Sequence, residues 1–380
     1  MSEAHIRYID HTAIPDNSRV CLYGIGRGGA ESLKLLRQVR HDVKVVCFAD
    51  TFQSGSFEGY KVLNPQGLIE RKNEYDLILV CSCYYPEIVA NLNSLGITDA
   101  VGFSWPKFYG YQFLPDDIAL LETDIHFVLD NLHSDFDRSL FKLLFEARIA
   151  GSSKVELRQV DGVWNYFLKD YDLLVHKFSS HIASSYFDFV NLSAVEYAVQ
   201  AGVYDGSEAL FLTEQAQLKM LYGFDPQGSA AFSDETLRTL DESGKFHLIE
   251  KGLWNSEAKA YFALDGSASC VRNISTGADE NTVLLSALDN EAERLAMPRL
   301  DLLIADIENS ELPMLEGALR LIELDRPQLA ICFYHSKEQF LGVPLMLMKK
   351  LKDYVFKIGH YSEGLDETVF YAIPKEKFDG

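Results

Sequence analysis

Apolar and polar positions in the first hundred residues switch between two periods. Val20–Tyr23, Val43–Ala49, Tyr75–Cys81 and Ala100–Phe103 are short apolar runs with the length and branching of buried strands. Between them, Gly28–Val39, Pro65–Arg71 and Pro86–Leu95 carry apolar residues at helical spacing, with Gly96 as a stop. Such alternation predicts a parallel sheet covered on both faces. The pattern then changes. Asp116–Leu132 and Asp135–Ile149 read as two helices with Asp near each start, a helical connector. A small β element is expected between 153 and 182, with Trp164, Tyr166 and Phe167 packing. From about residue 194 the strand–helix alternation returns. Strands are predicted at 196–201, 219–224, 246–251, 300–306, 328–334, 354–361 and 367–373, with helices at 207–216, 312–323 and 343–353. Only Ser362–Asp366 separate the last two strands, too short for a parallel crossover, so that pair is antiparallel. The expected division is 1–112, a nucleotide-type α/β domain; 113–152, the connector; and 153–380, a second α/β domain.

Within this pattern one arrangement occurs twice. An apolar run ends in a glycine-rich turn, and an acidic residue closes the next run about 20 residues later. In the first copy Gly24, Gly26 and Gly29 are answered by Asp50; in the second, Gly202, Asp205 and Gly206 are answered by Asp225. Glycine lets the backbone turn sharply and approach a ligand, and the following helix offers free N–H groups. The carboxylate can then accept from ribose hydroxyls. The alternative for Asp225 is a turn or cap aspartate before Pro226. The first copy has the strand–turn–helix context of a dinucleotide site, yet only about four strands surround it. A bound NAD(P), nucleotide or nucleotide-sugar, with an oxidoreductase as one outcome, therefore stands beside a vestigial or dimer-forming domain.

Composition narrows the partners. The formal net charge of −21 opposes nucleic acid and anionic membranes, and no Lys/Arg-rich tract offsets it. The six cysteines form no C-x-x-C pair, which predicts neither a zinc site nor a disulfide framework but buried thiols in a reducing compartment. The N-terminus has no signal-peptide pattern, and no apolar run reaches about 18 residues. A cytoplasmic protein is expected, with no membrane partner.

The second half resembles the FkbM family of S-adenosylmethionine-dependent methyltransferases. The segment Asp301–Ala318, which contains Asp306-Ile-Glu308-Asn309 and Glu311, is similar to the family's I-K-x-D-I/V-E-G-x-E-x-x-x-L-x-G-A. Ala201–Ser207, Leu288-Asp289, Leu329–His335 and Glu367–Ala372 resemble further family segments. The likeness covers roughly 190–373, and Ser134–Arg148 resembles the connector of long family members that carry an N-terminal nucleotide-fold domain. It implies two Rossmann-like domains in tandem, the C-terminal one a seven-stranded class I methyltransferase sheet with an antiparallel end pair. The implied cofactor is S-adenosyl-L-methionine, and the implied reaction is O-methylation of a hydroxyl on a sugar, glycan or secondary metabolite. A small-molecule or glycan acceptor and a homodimer are the partners considered. Three positions depart from the family pattern: Gln200 replaces an acid, Ile304 a lysine and Asn309 a glycine. They support the alternative of a non-catalytic or divergent nucleotide-binding protein with a degenerate site.

By this resemblance Gly202, Tyr204, Asp205, Gly206 and Asp225 line the cofactor, and Trp254 is either an adenine wall or core. Asp306 and Glu308 stand at the end of one strand and His335 at the end of the next, the edge that faces the ligand crevice. They form a candidate acid/base cluster for deprotonating a hydroxyl. The same trio could hold a divalent cation, or Glu308 could cap the following helix; no dedicated metal site is expected.

Overall fold

In the computed structural model of the protein the described residues are 8–9, 11–82, 85–103, 113, 115–149, 152–160, 163–169, 186–215, 217–263, 270–274, 282–362 and 364–378. They divide into two compact units, residues 1–114 with 148–169, and 115–147 with 170–380.

The first unit is built on strands β1 (Tyr8–Ile9), β2 (Arg19–Tyr23), β3 (Lys44–Ala49), β4 (Gly55–Phe57), β5 (Tyr60–Leu63), β6 (Leu77–Val80) and β7 (Ala100–Phe103). They form one seven-stranded sheet in the order β1-β7-β6-β2-β3-β5-β4. Alternating side chains serve two cores, as a parallel sheet between helical layers requires. Val20 and Leu22 join one apolar cluster, Cys21 and Tyr23 the other. Four strands were expected here. The β4–β5 hairpin escaped the pattern because β4 is short and largely exposed, and its turn, Glu58-Gly59, rests on positive φ angles of 52° and 81°. The hairpin of β8 (Val155–Val160) and β9 (Val163–Leu168) also clusters with this unit. The expected packing roles of the Trp164 and Tyr166 side chains lie outside what is described.

The second unit contains β10 (Tyr197–Ala201), β11 (Met220–Phe224), β12 (Phe246–Ile249), β13 (Gly252–Leu253), β14 (Ala258–Ala263), β15 (Cys270–Ile274), β16 (Thr282–Ser286), β17 (Leu302–Ala305), β18 (Gln328–Cys332), β19 (Tyr354–His360) and β20 (Thr368–Pro374). Its main sheet has the order β12-β11-β10-β17-β18-β20-β19. All neighbours are parallel except β20, which runs antiparallel to both β18 and β19. The pattern missed a second sheet, β13-β16-β14-β15, inserted between β12 and β17. Its strands are short or mixed in polarity, so their pairing is non-local information.

The segment expected as a connector is shared between the units. Helices Pro115–Asn131 and Asp135–Ala147 cluster with the second unit, while the chain from 148 onward clusters with the first. The reason is a buried polar latch. Asp137 is fully buried and accepts the Ser134 N–H at 3.1 Å, a capping-box relation, as well as the Ile358 N–H at 3.1 Å and the Lys357 ammonium at 3.2 Å. Leu140, Phe141 and Leu144 of the same helix are buried, and Phe141 stacks on Phe340. Cys21, Cys47, Cys81 and Cys332 are buried free thiols. No helix among the described residues is long and apolar enough to cross a membrane.

Candidate active site

The site lies at the C-terminal ends of β10, β11, β17, β18 and the start of β20. β10 runs straight into the glycine turn. Gly202 has φ +79°, and a Cβ there would overlap the Asp306 carbonyl oxygen, so the turn passes directly against the end of β17. Gly206 has φ +83° and abuts Thr236 at the start of helix Asp234–Ser243. Tyr204, also at positive φ, is about half exposed beside the turn. Asp205 is exposed, and its carboxylate accepts the Ser207 N–H at the start of helix Ser207–Thr213.

Asp225 stands at the end of β11, where the spacing placed it, but its carboxylate is engaged by the protein. Oδ2 accepts the N–H groups of Val203 and Tyr204 at 3.1 Å each, and Oδ1 accepts Gln227 N–H at 2.8 Å. The residue is buried. Asp225 therefore combines the turn role with a brace on the glycine loop, and Oδ1 keeps acceptor capacity for a further donor. Trp254 follows β13 and is partly buried; its backbone N–H bonds to Ser286, and its carbonyl packs against Gly317.

Asp306, Glu308 and His335 come together. His335 Nε2 lies 3.1 Å from Asp306 Oδ1 and 3.8 Å from Glu308 Oε1. Its Nδ1 lies 2.9 Å from Glu311 Oε1, and the Glu311 side chain is fully buried. Both nearer contacts, to Asp306 and Glu311, are at ion-pair distance. Burial opposes charge on the imidazole, but Glu311 and Asp306 outweigh it and raise its pKa well above the ordinary value. His335 is thus held as an imidazolium and has no lone pair to offer as a base. Burial pushes the Asp306 carboxyl up, but His335 and the Tyr186 hydroxyl, which donates at 2.6 Å, leave its pKa lowered. Tyr334 adds a longer contact at 3.4 Å. Asp306, Glu311 and His335 present donor atoms within 4.8 Å of one another and could hold a divalent cation if His335 gave up its proton.

Three further groups stand here: Glu208, which sequence reasoning missed, Glu367, which with Tyr334 was only a weaker candidate, and Glu311, which was read only as part of the family-like segment. Glu311 was visible in the Asp-Ile-Glu-Asn-Ser-Glu run, but nothing in the run said that it would be buried against a histidine. Glu208, in the first turn of its helix, has its pKa raised by burial and by Asp205 and Asp306. Glu367, just before β20, sits at φ +50°, and burial together with Asp306 and Asp366 pushes its carboxyl up to about 8.

Two of the three departures acquire a physical reading. Asn309 has φ +78° after Glu308 at +48°. Glycine adopts this left-handed region freely, and Asn tolerates it better than most residues. The turn is kept, with Asn309 Oδ1 accepting from Ser336 and its carbonyl accepting from Gln339. Ile304 is buried in the apolar cluster with Ala198, Ala330 and Tyr371, where a lysine ammonium would need a partner.

In the first unit Gly24, Gly26 and Gly29 join β2 to helix Arg27–Val39, and Asp50 follows the adjacent β3, so the turn and the acid share one sheet edge. Gly24 has φ +111°, and a Cβ on Gly29 would overlap the Gly24 carbonyl. These two glycines are explained by helix–strand packing. No neighbour crowds the Cβ position of Gly26. Asp50 Oδ1 accepts the Phe52 and Gln53 N–H groups, a turn-stabilising role.

A sheet of this order, with one antiparallel strand inserted beside the last parallel one and a glycine turn after its first strand, has the α/β architecture of a methyltransferase. Residues 200–358 match the Methyltransferase FkbM domain, and residues 16–100 match the C2185-like N-terminal domain. The FkbM match thus falls within the second unit, and the other match falls within the first. Among solved structures, a methyltransferase FkbM from Methylobacillus flagellatus KT is 15% identical, covers 94% of this chain and 90% of that chain, and has a TM-score of 0.48. A putative O-methyltransferase from Klebsiella pneumoniae is 12% identical over 67% of this chain and 96% of its own, with a TM-score of 0.33. An O-methyltransferase from Bacillus cereus in complex with SAH is 9% identical over 53% of this chain and 84% of its own, with a TM-score of 0.32. No curated protein matches the chain.

Proposed function

We propose that the protein transfers a methyl group from S-adenosylmethionine to a hydroxyl of a small-molecule or glycan acceptor. The single observation that carries this reading is the cluster of Asp306, Glu308 and His335 beside the glycine turn of an FkbM domain. Gly202, Tyr204 and Asp225 would hold the nucleoside, the loop being already braced by the Asp225 carboxylate. The bound cofactor would supply an activated methyl on a sulfonium. The acceptor oxygen must sit about 3–3.5 Å from that methyl and in line with it, so most of the catalysis is positioning.

Proton removal falls to a residue outside the Asp306, Glu308 and His335 cluster. An imidazolium clamped between carboxylates cannot accept a proton, and a carboxylate with a lowered pKa accepts one poorly. Glu367, pushed up to about 8, is matched to a general base at neutral or mildly alkaline pH. Asp306 and Glu308 would orient the acceptor hydroxyl, with His335 fixing both carboxylates.

The test is methyl transfer from S-adenosylmethionine to a panel of hydroxylated acceptors, followed across pH. The wild-type rate should rise through about pH 8, and Glu367→Gln should lower it about 100-fold and abolish that rise while leaving S-adenosylhomocysteine binding unchanged. A variant with an unaltered pH profile would refute Glu367 as the base. Absence of cofactor binding by the wild type would refute the function.

A further inference from the structure

Gln200, at the end of β10, is 2% exposed. Its Nε2 donates to the Gly202 carbonyl at 3.2 Å and to Glu208 Oε2 at 3.3 Å. Both partners are acceptors, so the amide orientation is settled: reversing it would set oxygen against oxygen. The same orientation leaves Oε1 buried with no hydrogen-bond partner among the described residues. Glu208 has hydrogen-bond donors but acidic surroundings. Asp205, Asp306 and Glu367 beside it are all acidic, and the donors acting on it are neutral: Gln200, Ser207 and its own backbone N–H. The Glu208 carboxylate and the Gly202 carbonyl therefore converge on the Gln200 NH2 beside the glycine turn, and the oxygen of that amide is left over.

An orphaned oxygen beside a carboxylate served only by neutral donors lacks a specific kind of group. An ammonium has three N–H donors, no acceptor and a positive charge, so it can satisfy the orphaned oxygen and neutralise the carboxylate together. A neutral hydroxyl could satisfy the oxygen but would leave the charge uncompensated. We propose that Glu208, held in place by Gln200, is the carboxylate that receives the amino group of the methyl donor's amino-acid part. This rests on the methyl-donor reading above and adds to it. The carboxylate thus comes from the first turn of the next helix, within reach of the same glycine turn. On this view Gln200 is the residue that orients Glu208, not a sign of decay.

The experiment compares calorimetric binding of S-adenosylhomocysteine, which has the amino acid, with 5′-methylthioadenosine, which lacks it. The wild type should prefer S-adenosylhomocysteine by about tenfold or more. Glu208→Gln should bring the two affinities within about threefold, with 5′-methylthioadenosine binding unchanged. The double variant Gln200→Glu/Glu208→Gln should recover the preference, since it returns the charge to the neighbouring position; a purely structural role for Glu208 predicts no such rescue. The assignment is overturned if Glu208→Gln keeps the preference, or if it weakens both ligands equally while circular dichroism shows it folded. If the wild type binds neither ligand, the methyl-donor reading itself fails.

Discussion

At the scale of single residues, the site is governed by one cation in a field of carboxylates. His335 and Glu311 are almost completely buried and 2.9 Å apart. Removing one partner of a buried ion pair leaves the other uncompensated, which costs far more than the pair contributes. Glu311→Gln should therefore destabilise the protein by about 3 kcal/mol, read as a lowered midpoint in urea unfolding. A change below about 0.5 kcal/mol would show that His335 is neutral and the ionic description wrong. The His-and-carboxylate inventory was legible in sequence, because Asp306, Glu308 and His335 terminate adjacent strands. The protonation state was not, because it depends on Glu311 turning inward from the first position of its helix.

At the scale of elements, the family-like segments act as joints. Gly317 ends helix Glu311–Glu316, and a Cβ there would overlap the Trp254 carbonyl. Asp289 donates its own N–H to the Gly317 carbonyl, and its carboxylate accepts the N–H groups of Arg320 and Leu321 at 3.1 and 2.9 Å, capping helix Leu319–Asp325. These contacts fasten the inserted sheet to the helices after β17. Gly317→Ala should force β13 away, costing about 1–3 kcal/mol and altering tryptophan emission through Trp254. Unchanged emission and stability would show that the joint yields freely. The seven main strands were readable because buried parallel strands are continuous apolar runs, whereas β13 to β16 were not, because each alone is too short or too polar to stand out.

At the scale of the whole chain, acidity dominates. The formal net charge is −21, and two buried carboxyls bind protons more tightly in the fold than in the open chain. Glu367, raised to about 8, is the strongest numerical case, and Glu208 shifts in the same direction. A raised folded-state value contributes stability that is complete below the ordinary glutamate range and lost as pH climbs through the folded value. His335, also raised, acts in the same sense. The thermal midpoint should therefore fall between about pH 6 and about pH 9, Glu367→Gln should flatten the fall, and about 0.5 M salt should recover part of it by screening self-repulsion. A midpoint that rises over that interval would contradict the assigned shifts.

Periodicity and turn chemistry in the chain alone determined the two α/β units, the antiparallel last pair, and the residues that end strands at the crevice. Those features are local: apolar runs, glycine turns and short connections are set by neighbouring residues. Only the tertiary structure decided which acids are buried, which nitrogen of His335 meets which carboxylate, that Asp225 braces its own loop, and that Gln200 shares its amide with Glu208. Each of these depends on desolvation and on partners remote in sequence, and a pattern of single residues carries neither.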